Sequence, residues 1–323
     1  MKTILLTGCA GFIGSHVAGG LLASGHRVVG IDNLNEYYDS RLKSYRLKEL
    51  QEHSSFRFVK DDVQHPDGID PVFREEPIEA IIHLAAMAGI RYSQERPEEY
   101  VATNVAGTLA VLRLAQRHRV NRFVFASSSS VYSGTPVPFR EDSITDTPIS
   151  VYGATKRSGE LMVYTYHATH GMHASVLRYF TVYGPKGRPD MSYFKFIRSL
   201  DEGKPILVHG DGNQTRDLTF VGDVARATVS ALDLDGFHIL NIAGGREPVS
   251  INAMIAALSD LTGKKANVQY GDPLNVDLPE TRADISIAKK LLHWSPRVDF
   301  PEGIRSTVDW HLRQREFIRK LRP

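Results

Sequence analysis

The chain has 323 residues and a near-neutral charge balance, with 39 Lys and Arg against 37 Asp and Glu. This balance, without a long basic run, argues against a nucleic-acid surface, and no apolar segment approaches the length of a membrane span. The single cysteine, Cys9, excludes an internal disulfide and fits a reducing compartment, so we expect a cytoplasmic protein that binds neither nucleic acid nor membrane.

Short apolar runs alternate with amphipathic stretches over the first half of the sequence. The runs predict strands at residues 3–7, 27–31, 56–59, 80–84, 122–126 and 174–180. The stretches between them predict helices at 12–24, about 70–75, about 98–118 and 151–170. Continuously apolar strands separated by helices predict an α/β protein with a Rossmann-type, doubly wound parallel sheet covered on both faces.

The pattern changes after Gly184, where Pro and Gly become frequent and short helices are predicted at 252–262 and 285–292. We therefore expect a first domain at 1–180 and a smaller, substrate-binding lobe at 181–323, with some chain crossing back to the first domain.

The stretch TGCAGFIGSH lies directly between the first predicted strand and the first helix. Its glycines, Gly8, Gly11 and Gly14, suit a tight turn, close approach of a pyrophosphate to backbone N–H groups, and helix-on-strand packing. The second strand ends in Asp32, whose carboxylate can bind both adenosine ribose hydroxyls and would repel a 2′-phosphate. A plain strand–helix turn is the alternative, but the full context predicts a dinucleotide site that prefers NAD to NADP.

Tyr152 and Lys156 stand one helical turn apart in SVYGATKRSGE and therefore share a helix face. A lysine ammonium beside a phenol, together with a cationic nicotinamide, lowers the pKa of the phenol and makes it a usable base. Such a pair occurs by chance on many helix surfaces, but here it follows a dinucleotide loop and the stretch ASSSSVY.

The set TGCAGFIGS, Asp32, HLAA at 83–86, Asn104, ASSSSVY and YGATK resembles the extended short-chain dehydrogenase/reductase family, specifically its nucleotide-sugar epimerases. The resemblance implies Tyr152 as acid/base, Lys156 as its tuner and ribose anchor, and Ser128 as partner of the reacting oxygen. Ser133 departs from the Gly usual in the family, and we expect only a local loop difference. The loop and the resemblance together imply NAD contacts with Gly8, Gly11, Phe12, Ile13, Gly14, Asp32, Asn33, Asn35, Asp62, Val63, Leu84, Ala85, Ala86, Asn104, Tyr152 and Lys156.

The serine row, residues 127–130, ends the fifth predicted strand. Ser130 occupies the position where a related decarboxylase would carry Glu, and Ser128, Ser129, Ser130 and Thr181 are neutral hydroxyl donors. Converging hydroxyls can hold a carboxylate without adding a charge, which fits a uronic acid sugar. Fixing that carboxylate would keep a 4-keto intermediate from losing CO₂. The alternative is that the extra serines only fill a polar turn.

The segments DNLNEYYDSRLK, HLAAMAGIRYS and TVYGPKGRPDM resemble the plant and bacterial UDP-glucuronate 4-epimerases in particular. This likeness implies substrate contacts from Arg91, Arg188, Arg216 and Arg282, whose guanidinium groups suit a substrate with about three negative charges. It also implies a UDP-sugar substrate and a homodimer. The scattered histidines do not indicate a metal site.

Three alternatives remain open from the sequence. One is a 4-epimerase of neutral UDP-glucose or UDP-N-acetylglucosamine. Another is a UDP-glucuronate decarboxylase or other net oxidoreductase. The third is a non-catalytic dinucleotide sensor, which would have no reason to combine Ser128, Tyr152 and Lys156.

Overall fold

The computed structural model describes residues 1–274 and 277–322. Its strands are β1 Thr3–Thr7, β2 Arg27–Asp32, β3 Phe56–Lys60, β4 Ala80–His83, β5 Arg122–Ser128, β6 His173–Tyr179, β7 Thr181–Tyr183, β8 Ile206–His209, β9 Thr215–Arg216, β10 Leu218–Phe220, β11 Phe237–Ile242, β12 Val249–Ser250 and β13 Val268–Gly271. Its α-helices are α1 Phe12–Ala23, α2 Ser40–Gln51, α3 Pro66–Glu75, α4 Ile90–Glu95, α5 Pro97–Tyr100, α6 Thr108–Arg117, α7 Val151–His170, α8 Ser192–Glu202, α9 Val221–Ser230, α10 Ile251–Thr262, α11 Ser286–Leu292, α12 Phe300–Arg313 and α13 Arg315–Arg319.

Seven parallel strands form the central sheet in the order β3-β2-β1-β4-β5-β6-β11. The strand order reverses between β1 and β4, which opens a crevice at the carboxyl ends of the strands. The predicted Rossmann-type, doubly wound sheet is therefore confirmed.

Helices cover both faces of this sheet. Successive strand residues point to opposite sides, and in these strands the side chains on both sides are apolar. On one face, Ile4 and Leu6 of β1 join a buried cluster with apolar residues of α1 and α9. On the other face, Leu5 joins a cluster with residues of α3, α6 and α7. The continuous apolar runs of the sequence reflect this burial on both sides.

The smaller lobe packs around a third apolar cluster supplied by α8, α10 and α12, with Leu42 of α2 and Tyr183 of β7. The chain crosses back between these elements. Helix α9 packs against α1, and β11 joins the central sheet beside β6, with Leu240 opposite Leu177. Helix α9 and strand β11 therefore pack with the central sheet, although they follow residue 180 in the sequence.

Two of the differences from the sequence prediction lie next to the cofactor-binding half of the chain. The predicted helix at 98–118 is divided into α5, a π-helical segment Val101–Gly107 and α6. Helix α2 was not predicted, because its sequence SRLKSYRLKELQ is mostly polar and buries few apolar side chains. The carboxylate of Asp39 caps α2 by accepting from the N–H of Arg41 at 3.0 Å.

A buried ion pair fixes α7 to the sheet. The guanidinium of Arg178 on β6 donates through Nε and Nη2 to the two carboxylate oxygens of Glu160 on α7, each at 2.8 Å, and both side chains are 1% exposed. Ser127 of β5 donates to the same carboxylate at 2.6 Å. Helix α7 is therefore joined to two neighbouring strands by charge-assisted hydrogen bonds.

Replacing Glu160 with Gln should lower the free energy of unfolding by about 3 kcal/mol, because the change leaves the Arg178 charge buried without a counter-charge. Chemical denaturation of the wild type and the variant measures the difference. The control is Glu75→Gln, which removes an exposed ion pair with Arg57 and should cost less than about 1 kcal/mol. Equal small losses in the two variants would contradict the structural role of the buried pair.

Candidate active site

A cavity of about 830 Å³ opens at the carboxyl ends of the central strands. Residues that follow β1, β2, β4, β5 and β6 form one wall, and residues of the smaller lobe, including Leu207, Gln214 and Ile251, form the other. This is the position at the switch in strand order where open α/β sheets bind ligands.

The glycine loop forms the floor of the cavity at the start of α1. Gly8 has φ +74°, and a Cβ there would lie 2.7 Å from the backbone nitrogen of Ala85. A Cβ on Gly14 would lie 2.0 Å from the carbonyl oxygen of Gly8. Gly11 is the N-cap and has no side chain to bind the first N–H groups of α1, which leaves them available to an anion.

Asp32 lies beside this loop at the end of β2 and is almost fully buried. Its carboxylate accepts from the N–H of Ala10 at 3.1 Å and from that of Leu34 at 2.8 Å. The Nζ of Lys43 is 3.6 Å from the same carboxylate and donates to Asn35 at 2.9 Å. No role was assigned to Lys43 from the sequence, and helix α2, which brings this residue back to the site, was not predicted.

The other expected cofactor residues surround the same end of the cavity, with one exception. Phe12, Ile13, Asn33, Asn35, Asp62, Val63, Leu84, Ala85 and Ala86 all line it. Asn104 does not line it. The Asn104 amide accepts from the N–H of Met87 at 2.8 Å and donates to the Met87 carbonyl and to Thr155 at 2.9 and 3.0 Å. It therefore joins the Met87 segment of the cavity wall to Thr155 of α7.

Tyr152 and Lys156 project from α7 into the centre of the cavity. The Nζ of Lys156 donates to the carbonyl of Ala126 at 2.8 Å. Burial lowers the pKa of Lys156 to about 7, and the negative charge of Glu160 opposes this shift. Burial raises the pKa of the Tyr152 phenol, while the Ser128 hydroxyl and the positive charge of Arg188 act in the opposite direction.

All four residues of the serine row, 127–130, line the cavity. The Ser127 hydroxyl differs from the others because it donates to the buried carboxylate of Glu160 at 2.6 Å. The Ser128 hydroxyl accepts from the N–H of Ser130 at 3.1 Å and donates to the Ser130 hydroxyl at 3.1 Å. Thr181 and Ser133 line the cavity as well. The strand end thus presents a group of neutral hydroxyls near Tyr152.

Three of the four expected substrate arginines line the cavity: Arg91, Arg188 and Arg216. Arg188 donates to Asp190 and lies 5.5 Å over the ring of Tyr37. Arg216 pairs with Asp277 and donates to the carbonyl of Thr215 at 2.7 Å. Arg282 lies outside the cavity lining, about 40% exposed, with its Nε 3.4 Å from Glu280. The loop that carries Arg282 reaches the site through Thr281 instead.

Several cavity residues were missed by sequence reasoning. Tyr37, Tyr38 and Asp190 lie in segments that were quoted for their resemblance, but no chemistry was assigned to them. Lys195, on α8, and Asp277 carried no local signal. In the described part of the chain, no three His, Cys, Asp or Glu side chains come together as metal ligands.

Comparison with known proteins identifies the family. The sequence profile of the NAD dependent epimerase/dehydratase family matches residues 4–243. A UDP-glucuronate 4-epimerase of Thermodesulfobacterium geofontis is 47% identical over the full length of both chains. UDP-glucuronate 4-epimerase 4 of Arabidopsis thaliana is 36% identical, over 96% of this chain and 75% of that protein. The chain belongs to the NAD-dependent epimerase/dehydratase family, and its cofactor is NAD.

Solved structures agree with this assignment. The UDP-glucuronic acid 4-epimerase of Bacillus cereus, in complex with UDP-glucuronic acid and NAD, has a TM-score of 0.92 and 36% identity, covering 97% of this chain and 99% of that one. The UDP-glucose 4-epimerase of Thermotoga maritima, with UDP-glucose, has a TM-score of 0.89 and 30% identity over the same shares. The resemblance to the nucleotide-sugar epimerases of the extended short-chain dehydrogenase/reductase family is confirmed.

Replacing Gly14 with Ala should sharply reduce the NAD content of the purified protein, because the new Cβ would meet the Gly8 carbonyl and displace the loop. Nucleotide released on denaturation and quantified by chromatography measures the content per chain. Gly19→Ala is the matched control on the same helix. A Cβ at Gly19 meets nothing within 4 Å, so this variant should keep its NAD and gain up to about 1 kcal/mol of stability. Full NAD content in Gly14→Ala would contradict the proposed place of the pyrophosphate.

Proposed function

We propose that this protein is a UDP-glucuronate 4-epimerase that interconverts UDP-glucuronate and UDP-galacturonate. The observation that carries the proposal is the composition of one cavity. It holds the dinucleotide loop, the Tyr152–Lys156 pair and a group of neutral hydroxyls, with Ser130 in place of the glutamate of a decarboxylase. The dinucleotide loop and the Tyr152–Lys156 pair serve the reversible oxidation of a sugar hydroxyl group. The neutral hydroxyls suit a sugar that carries a carboxylate.

Tyr152 acts as the acid/base. As a phenolate it removes the proton of the sugar C4 hydroxyl. It returns that proton to the oxygen of the 4-keto sugar after the sugar has rotated and presents its opposite face to the cofactor. Bound NAD supplies a reversible hydride acceptor, so the cofactor is unchanged over the full cycle. Lys156 favours the phenolate by its charge and anchors the nicotinamide ribose, and Ser128 donates to the reacting oxygen.

The chain holds NAD through the residues that face the adenosine end of the cavity. The N–H groups at the start of α1 bind the pyrophosphate, and Asp32 accepts from the ribose hydroxyls. Lys43, within reach of Asp32, adds a donor at the same ribose and partly offsets the carboxylate charge. Asn104 contributes by fixing the Met87 segment rather than by contact.

Ser129, Ser130 and Thr181 hold the carboxylate of the sugar. A β-keto acid loses CO₂ when the breaking bond aligns with the carbonyl π system, and fixed hydrogen bonds to the carboxylate prevent that alignment. Neutral hydroxyls also supply no acid to assist decarboxylation. Arg188, which reaches the cavity over Tyr37, adds positive charge at the sugar and closes this end of the site.

The UDP group lies toward the smaller lobe. Arg216 pairs there with Asp277 and can exchange this partner for a phosphate, since a guanidinium binds either anion through the same fork of donors. Arg91 lines the mouth of the cavity and adds a second cation for the substrate. Arg282 is not part of this contact set, because its side chain faces Glu280 and solvent.

Incubation of the purified protein with UDP-glucuronate and no added NAD should yield UDP-galacturonate until equilibrium, because the cofactor is regenerated in each cycle. Chromatographic product analysis, run in parallel with UDP-glucose and UDP-N-acetylglucosamine, measures the preference. Faster turnover of UDP-glucose, or net accumulation of a pentose product, would identify one of the alternative activities instead.

The variant Tyr152→Phe should keep its NAD and lose turnover by a factor of about 10² or more, since it lacks the phenol hydroxyl that carries the proton.

Replacing Ser129 and Ser130 together with Ala should raise the KM for UDP-glucuronate by a factor of about 10² or more and produce CO₂ during turnover, because each of the two lost hydrogen bonds to a charged group contributes about 1.5–3 kcal/mol. Steady-state kinetics and a coupled CO₂ assay measure the two effects. Ser158→Ala, an exposed change on α7, serves as the control and should leave both unchanged. Normal KM without CO₂ release in the double variant would disprove the carboxylate site.

The protein forms a homodimer in this proposal. Val101 beside α6, Leu109 of α6, and Leu161 and Tyr164 of α7 are apolar side chains that are 39–52% exposed. Helices α6 and α7 pack against each other and present these residues outward, which is typical of a helix pair that pairs with a second copy. Light scattering should therefore give twice the chain mass, and Leu161→Glu should reduce it. A monomeric wild type at micromolar concentration would refute the dimer.

Among the helices that the structure describes, none combines the length and the apolar character of a membrane span. The one cysteine, Cys9, is buried and unpaired. We place the enzyme in the cytoplasm on the basis of this free thiol and the proposed nucleotide-sugar substrate.

A further inference from the structure

Arg46 of α2 is among the largest fully buried side chains of the protein, at 1% exposure. Its guanidinium donates through Nη1 to the carbonyl of Ala10 at 3.1 Å and to the hydroxyl of Tyr38 at 2.6 Å. Through Nε and Nη2 it donates to the carbonyl of Lys186 at 3.0 and 2.7 Å, and through Nη2 to that of Gly187 at 3.1 Å. One side chain thus joins the dinucleotide loop to residues 186–187, which directly precede Arg188.

Among the residues that the structure describes, no carboxylate lies within ion-pair distance of the Arg46 guanidinium. Over residues 1–274 and 277–322, all of its hydrogen bonds go to neutral oxygens. Burying an unpaired cation is costly, so its retention calls for a specific use of the guanidinium fork. NAD bound at the glycine loop brings two phosphate charges to the same loop that Arg46 holds through Ala10, which offsets part of that cost.

The segment held by Arg46 has little freedom of its own. Lys186 has φ +59°, and its ammonium pairs with Glu49, also on α2. A Cβ on Gly187 would lie 2.0 Å from the hydroxyl of Tyr193. Arg188 follows directly and reaches into the cavity, where it pairs with Asp190. The position of Arg188 therefore depends on how residues 186–187 are fixed to α2.

We propose that Arg46 is a positioning residue for nucleotide-sugar binding, which ties residues 186–187 to the dinucleotide loop and thereby sets the place of Arg188 in the cavity. The inference rests on the proposed function, since it takes Arg188 to contact the sugar. Arg46 itself touches neither the cavity nor the reacting atoms, so its effect passes through Arg188.

The first test is Arg46→Lys. Lysine keeps the charge, but its single ammonium cannot bond both the Ala10 carbonyl and the carbonyls of residues 186–187. The holoenzyme, with saturating NAD added, should bind UDP-glucuronate roughly tenfold more weakly by calorimetry and show a matching rise in KM. The KM should rise more than kcat falls, because Arg46 contacts neither the cavity nor Tyr152 and acts through the position of Arg188. Arg226→Lys is the control: Arg226 is partly buried on α9, pairs with Asp223 and lies outside the cavity lining, so the variant should bind substrate normally.

The second test combines Arg46→Lys with Arg188→Lys. If Arg46 acts through Arg188, the double variant binds UDP-glucuronate no more weakly than Arg188→Lys alone. Unchanged affinity in Arg46→Lys, or losses that multiply in the double variant, would overturn the inference. Wild-type protein that binds UDP-glucuronate without epimerising it would defeat the proposed function only, because the affinity comparisons still decide the role of Arg46. Failure of the wild type to bind the nucleotide sugar would defeat both.

Discussion

The buried pair of Glu160 and Arg178 is the interaction on which the site geometry depends. It fixes α7 against β5 and β6, one turn beyond Lys156 and two turns beyond Tyr152. The same carboxylate accepts a hydrogen bond from the hydroxyl of Ser127, the first of the four serines that line the cavity. A single ion pair therefore fixes both the helix that carries Tyr152 and the strand end that carries the serine hydroxyls. Such a pair need not add net stability, but once present it imposes one arrangement on the elements it joins.

The electrostatics of the cavity follow from burial combined with placed charges. Lys156 is buried, and burial lowers its pKa because its ammonium donates to a neutral carbonyl, that of Ala126, and not to a carboxylate. A phenolate at Tyr152 would supply the missing negative partner, and a cationic nicotinamide would stabilise that phenolate in turn. Arg91, Arg188 and Arg216 line the same cavity, and two of them pair with acidic side chains, Asp190 and Asp277. In the proposed function, an anionic substrate would replace these acidic partners.

Much of this could be predicted from the sequence. The central strands, α1 and α7 have strong local patterns, and the sheet topology places Gly8, Asp32, Ser128 and Tyr152 at one edge without further information. Resemblance added the roles of Lys156 and the serines. These roles remain proposals, although the structure brings the residues together in one cavity.

The remainder depended on contacts that no local pattern encodes. Asn104 was expected at the cofactor, but its amide is used up by Met87 and Thr155. Arg282 was expected at the substrate, but its loop turns the side chain toward Glu280. Helix α2 was missed because its stability comes from an Asp39 cap and from tertiary contacts, and with it the positions of Lys43 and Arg46 were missed. Long polar side chains reach in directions that only the packed fold determines.

The central claim is that hydrogen leaves the sugar at C4 and returns to the same carbon inside a closed site. UDP-glucuronate carrying deuterium at C4, converted in ordinary water without added NAD, tests it directly when the product is examined by mass spectrometry and NMR. The account predicts UDP-galacturonate with the deuterium still at C4. Loss of the label to solvent, or product formed only when fresh NAD is supplied, would contradict it.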